Sequence, residues 1–130
     1  MKVSIFGMGY VGAVSGVCLA DLRHEVIGVD TNQTKVYLIN KGTSPIVEAG
    51  VAERIEAARM AGRIRATTDA AEAVAASEVS MISVGTPSSA AGTPSFGAID
   101  AVVAEIGKAI GGKSMPHTVV MRSTVTPGTT

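Results

Sequence analysis

The stretch VSIFGMGYVG, residues 3–12, sets a short apolar run directly before three glycines, Gly7, Gly9 and Gly12. A run of this kind reads as a buried strand, and the glycines that follow open a helix. Gly7 takes backbone angles closed to other residues and so permits a tight strand-to-helix turn. Gly9 has no side chain to hold a pyrophosphate off the backbone, and Gly12 lets the helix approach the strand. The amides of Tyr10, Val11 and their neighbours then point outward from a helix N-terminus, where the dipole contributes about 0.3–1 kcal/mol toward an anion.

Alone, a G-x-G-x-x-G pattern is weak evidence, because glycine-rich turns are common. Its surroundings make it specific. Val26 to Val29 reads as a second buried strand, and Asp30 stands at its end, 18 residues after Gly12. A carboxylate at that place accepts hydrogen bonds from both ribose hydroxyls of a dinucleotide and repels a 2′-phosphate, which favours NAD over NADP. The plainer alternative is that Asp30 caps the helix that follows.

With 46% hydrophobic residues and 11 basic side chains against 11 acidic ones, the chain fits a compact domain without net charge. Nucleic acid and membrane surfaces are therefore not expected as partners. Arg54, Arg59, Arg63 and Arg65 are interleaved with Glu53 and Glu56, which reads as a solvated helix face. A single cysteine excludes an internal disulfide framework and suits a reducing compartment. The basic and apolar start resembles a secretory signal, but Gly7, Gly9, Gly12 and Gly16 make a poor signal helix; a cytoplasmic location is expected.

Apolar runs alternate with helical patterns along the whole chain. Strands are expected near residues 2–6, 25–29, 64–67, 79–84 and 118–122, with helices at 10–22, 32–41, 50–61, 69–76 and 98–110. Strands that are apolar almost throughout belong to a parallel sheet covered by helices on both faces. The expected fold is therefore α/β, a doubly wound Rossmann sheet of order 3-2-1-4-5-6, with ligands beyond the carboxyl ends of strands one and four. The long polar loops Gly85 to Gly97 and Ser123 to Thr130 gather at that edge, which makes Thr86 and Thr124 candidate contacts for cofactor or substrate.

Other reactive side chains are demoted by the same geometry. His24 and His117 each precede a strand and fall at the opposite edge. Cys18 shares the spacing of Val11, Val14 and Leu22, which predicts a buried stripe and an inert packing role rather than a nucleophile. The six methionines show no metal-like clustering, and no metal site is expected.

The residues resemble the nucleotide-sugar dehydrogenases, a family that includes UDP-glucose and GDP-mannose 6-dehydrogenases. The likeness rests on VSIFGMGYVG, on HEVIGVD at residues 24–30 and on KVYLINKGTSPIVEAG at 35–50. It continues in VGTPS at 84–88 and HTVVMRSTVTPGTT at 117–130. Arg122 before Ser123 and the wording SPIVE are more similar to the GDP-mannose branch. The sequence departs from the family at Ala49, where proline is usual, and at Ser95 and Phe96, where Asp-Leu is common.

The resemblance implies NAD contacts at Tyr10, Val11, Asp30, Lys35, Thr86 and Thr124. It implies oxidation of a sugar C6 alcohol to a carboxylate, with two hydrides passed to two NAD molecules and a thiolate holding the intermediate. That thiolate and the sugar-nucleotide domain lie beyond residue 130 in the family. Residues 1–130 are accordingly expected to be an N-terminal NAD-binding piece without catalytic residues, inactive alone and homo-oligomeric at full length. A non-catalytic NAD(H)-sensing module is the rival class; the two long loops beside the nicotinamide side favour an enzyme. Hydroxyacyl and phosphogluconate dehydrogenases are the nearer enzymatic rivals, and they lack the SPIVE and STVTPGTT wording.

Overall fold

In the computed structural model, the described residues are 1–44, 50–83, 97–113 and 116–121, with side chains of 97–100 excepted. Five strands form one parallel sheet: β1 (Lys2–Phe6), β2 (Glu25–Val29), β3 (Ile64–Thr67), β4 (Val79–Ile82) and β5 (Thr118–Met121). Their order is β3-β2-β1-β4-β5, the doubly wound arrangement expected from the alternating pattern. The crossovers carry α1 (Tyr10–Asp21), α2 (Gln33–Lys41), α3 (Val51–Met60), α4 (Ala70–Ala76) and α5 (Gly97–Ile110).

Period-two alternation sends neighbouring residues of each strand into different layers. Val3, Ile5, Val26, Ile64 and Ala66 pack with Ala13, Ala20, Ile39 and Ala58 on one face. Phe6, Ile27, Val29 and Ile82 pack with Ala70, Ala73, Val74 and Ile106 on the other. Helices thus cover both faces at the centre of the sheet, which is why β1 and β2 are apolar runs, whereas Thr118, Val119 and Val120 of the equally apolar β5 are exposed, against the expectation of burial.

Helix ends follow local chemistry. Asn32 caps α2 by accepting from the amides of Thr34 and Lys35, and Asp69 caps α4 by accepting from Glu72. Both caps lie one residue outside the helices, where the sequence pattern alone includes them.

One expectation reverses. The stripe Val11, Val14, Cys18 and Leu22 does not face the core: Val11, Cys18 and Leu22 are exposed, and Val14 packs beside α3 against Val17, Val51 and Ile55. The buried side of α1 is Gly12, Ala13, Gly16, Val17 and Ala20. The reason is proximity. A Cβ on Gly12 would stand 1.8 Å from the carbonyl oxygen of Gly7, so α1 lies against the turn and β1 on its smallest side chains. In a helix apolar on nearly every side, residue size decides the inward face and hydrophobic spacing does not.

Candidate dinucleotide site

At the carboxyl ends of β1 and β2 the structure brings together Gly7, Gly9, Tyr10, Val11, Gly12, Asp30 and Lys35. Gly7 has φ +96°, the left-handed region that glycine enters without strain. Its N–H donates to the Val29 carbonyl at 2.8 Å and ties the turn to the end of β2. Gly9 is the N-cap of α1, with its carbonyl accepting from Ala13 N–H at 2.9 Å and no side-chain cap. Among the described residues no side chain caps this end, and no acidic residue stands in the first turn, whose amides have no intrahelical partner.

The glycines separate by cause. Gly12 is required by the fold itself, as its near contact with Gly7 shows. The packing of the described residues does not require Gly9: its φ is −79°, open to any residue, and among them a Cβ there would meet nothing within 4 Å. A glycine at this helix start lets an anion approach the first-turn amides, where the helix dipole adds to the attraction.

Asp30 follows β2 and is held on both carboxylate oxygens. Oδ2 accepts the Met8 N–H at 2.8 Å, and Oδ1 accepts the Asn32 N–H at 2.9 Å. Its side chain is only 12% exposed, and the Lys35 ammonium lies 3.9 Å from Oδ2. Since Asn32 caps α2, the capping alternative for Asp30 falls away. A carboxylate has about four acceptor positions, so lone pairs remain for two ribose hydroxyls.

Met8 is the residue that sequence reading passed over. Its amide links the glycine turn to Asp30, and its side chain is fully buried. The available signal was Gly28, a glycine inside an otherwise apolar strand, which marks close approach of another group. Thr86 and Thr124 lie outside the described residues, as do Ala49, Ser95 and Phe96.

His24 and His117 sit at the amino ends of β2 and β5, across the sheet from the glycine turn. Among the described residues no group of three or more His, Cys, Asp or Glu could hold a metal. No helix among them is long and apolar enough to cross a membrane.

Residues 1–130 match the family model described as "UDP-glucose/GDP-mannose dehydrogenase family, NAD binding domain". GDP-mannose 6-dehydrogenase of Pseudomonas aeruginosa is 55% identical over 99% of this chain, and UDP-glucose 6-dehydrogenase of Haloferax volcanii is 40% identical over 100%. The chain spans about 30% of the length of each relative. A ternary complex of the Pseudomonas aeruginosa GDP-mannose dehydrogenase superposes with a TM-score of 0.98, covering 99% of this chain and 30% of that one. The glycine turn, the carboxylate at the end of β2 and the match along the entire chain lead to one conclusion: the chain belongs to the UDP-glucose/GDP-mannose dehydrogenase family and carries its NAD-binding domain.

Proposed function

We propose that this chain holds NAD for a nucleotide-sugar 6-dehydrogenase that oxidises the C6 alcohol of GDP-mannose to the carboxylate of GDP-mannuronate. Gly9 carries the NAD reading: among the described residues a Cβ there meets nothing within 4 Å, so their packing gives no reason for a glycine at that position. NAD, when bound, supplies the hydride acceptor. Gly9 and the amides of Tyr10 and Val11 receive the pyrophosphate, Gly7 and Gly12 shape the turn, Asp30 receives the ribose hydroxyls, and Lys35 stands beside that carboxylate. Thr86 and Thr124 complete the set by resemblance.

Preference for GDP-mannose is supported by identity: 50–55% to six GDP-mannose 6-dehydrogenases against 40–41% to two UDP-glucose 6-dehydrogenases. By the family resemblance the sugar site and the thiol chemistry fall to the remainder of a longer protein, and the single cysteine of this chain suits a reducing, cytoplasmic compartment. Self-association of that protein rests on the family resemblance. NADH formation by the full-length protein, with GDP-mannose and UDP-glucose offered separately, tests the substrate. Faster turnover of GDP-mannose is expected; faster turnover of UDP-glucose would overturn the choice of sugar nucleotide.

A further inference from the structure

We infer that a slot between Gly28 and the Met8 side chain sets the height of the glycine turn, making Gly28 a positioning residue for dinucleotide binding. The inference rests on the NAD reading above. Gly28 does not adopt a positive φ, so its conformation does not call for glycine. Space does. A Cβ on Gly28 would lie 2.9 Å from Met8 Sδ, 3.0 Å from Cγ and 3.1 Å from Cε. These three atoms are consecutive, and Cγ is close to the backbone, so swinging the end of the side chain cannot relieve the contact.

The surroundings leave Met8 little freedom. Its side chain is fully buried in the layer formed by Val3, Ile5, Ala13 and Val26, and Cε would be 3.8 Å from a Cβ on Gly16 of α1. Its backbone is held by Asp30 Oδ2, and the preceding residue by Val29 O. Strand β2 is bonded on both sides, to β1 and β3, whereas the glycine turn belongs to no ladder. A methyl group at Gly28 therefore moves the turn before it moves the strand. A lifted turn strains the Met8 N–H to Asp30 bond and carries Gly9 and the first-turn amides out of register with a bound pyrophosphate.

The experiment is calorimetric titration of NAD into the wild-type chain and the variants Gly28→Ala, Met8→Ala and Gly28→Ala/Met8→Ala. Each is also followed through thermal unfolding, so that affinity is read on folded material. Gly28→Ala is expected to weaken NAD binding by roughly tenfold to a hundredfold, in keeping with overpacking and a misplaced binding group. The double variant binds far more tightly than Gly28→Ala, because the added methyl no longer meets a long side chain.

Wild-type affinity in folded Gly28→Ala, or a double variant no tighter than that single one, overturns the inference. Should Gly28→Ala fail to fold, Met8→Ala and the double variant decide: equal affinity supports the slot, and a loss on adding the methyl overturns it. A folded wild-type chain that does not bind NAD overturns the proposed function and the inference with it. A binding wild type beside an unaffected Gly28→Ala overturns the inference alone.

Discussion

The Asp30 carboxylate accepts the Met8 N–H at 2.8 Å and thereby joins the end of β2 to the turn that follows β1. The same carboxylate accepts Asn32 N–H, so it organises the site before any ligand arrives. Asp30→Ala strands a buried amide and is expected to destabilise the fold by about 1–3 kcal/mol. It also removes the negative charge that repels a 2′-phosphate, so the preference for NAD over NADP narrows. Chemical denaturation and parallel titration with both dinucleotides check the two effects.

Gly9 and Gly12, three residues apart, respond oppositely to a side chain. Gly9→Ala costs about 1 kcal/mol or less, the difference between glycine and alanine at an N-cap, because among the described residues its Cβ meets nothing within 4 Å. Gly12→Ala drives a Cβ into the Gly7 carbonyl oxygen and costs about 3 kcal/mol or more. Equal thermal midpoints for the two variants would contradict this division.

Stability depends on pH through His117 at the far edge of the sheet. Its Nε2 is 2.7 Å from Ser80 Oγ, and its Nδ1 is 3.0 Å from the Lys113 ammonium, which also donates to the carbonyls of Val74 and Ser77. Lysine has no acceptor, so Nδ1 accepts, the ring proton sits on Nε2, and the imidazole is neutral. Burial first, then the Lys113 charge, hold its pKa below the ordinary 6.5 against a weaker opposing contribution from the Ser77 backbone. The unfolded chain therefore takes up a proton first as pH falls. The contribution is complete above about pH 6.5 and is lost as pH falls from there through the lower value of the folded state. Thermal midpoints between about pH 7.5 and 5.5 should fall more for wild type than for His117→Gln. Parallel curves would contradict the assignment.

Cys18 faces solvent beside the Arg54 and Asp21 ion pair, with its sulfur 4.0 Å from Arg54 Nη2. In the native 130-residue chain it is expected to react with a thiol-specific disulfide reagent without denaturant, at a rate approaching that of the unfolded chain. Reaction seen only after unfolding would restore the buried stripe.

The sheet was legible because strands buried in a parallel sheet, as β1 and β2 are, read as apolar runs, and the five expected strands and five expected helices fall within a few residues of their positions in the structure, the exposed β5 included. Asp30 was legible for the same reason, standing where such a run ends. The facing of α1 was not. Val11, Val14, Cys18 and Leu22 have correct helical spacing, but the tight approach at Gly12 admits only the small side of the helix. Pairings made by folding were equally hidden: Met8 and Gly28 are 20 positions apart, and Ser4 meets Ser80 at 2.7 Å across β1 and β4. Nothing in either local sequence names its partner.

The decisive test of pyrophosphate binding at the start of α1 is titration of NAD into the folded chain and into its Gly9→Val variant. Saturable heat of binding for wild type, and its loss in an equally stable Gly9→Val chain, is the result expected if the first-turn amides receive the pyrophosphate. Equal binding by both chains, or none by wild type, would contradict it.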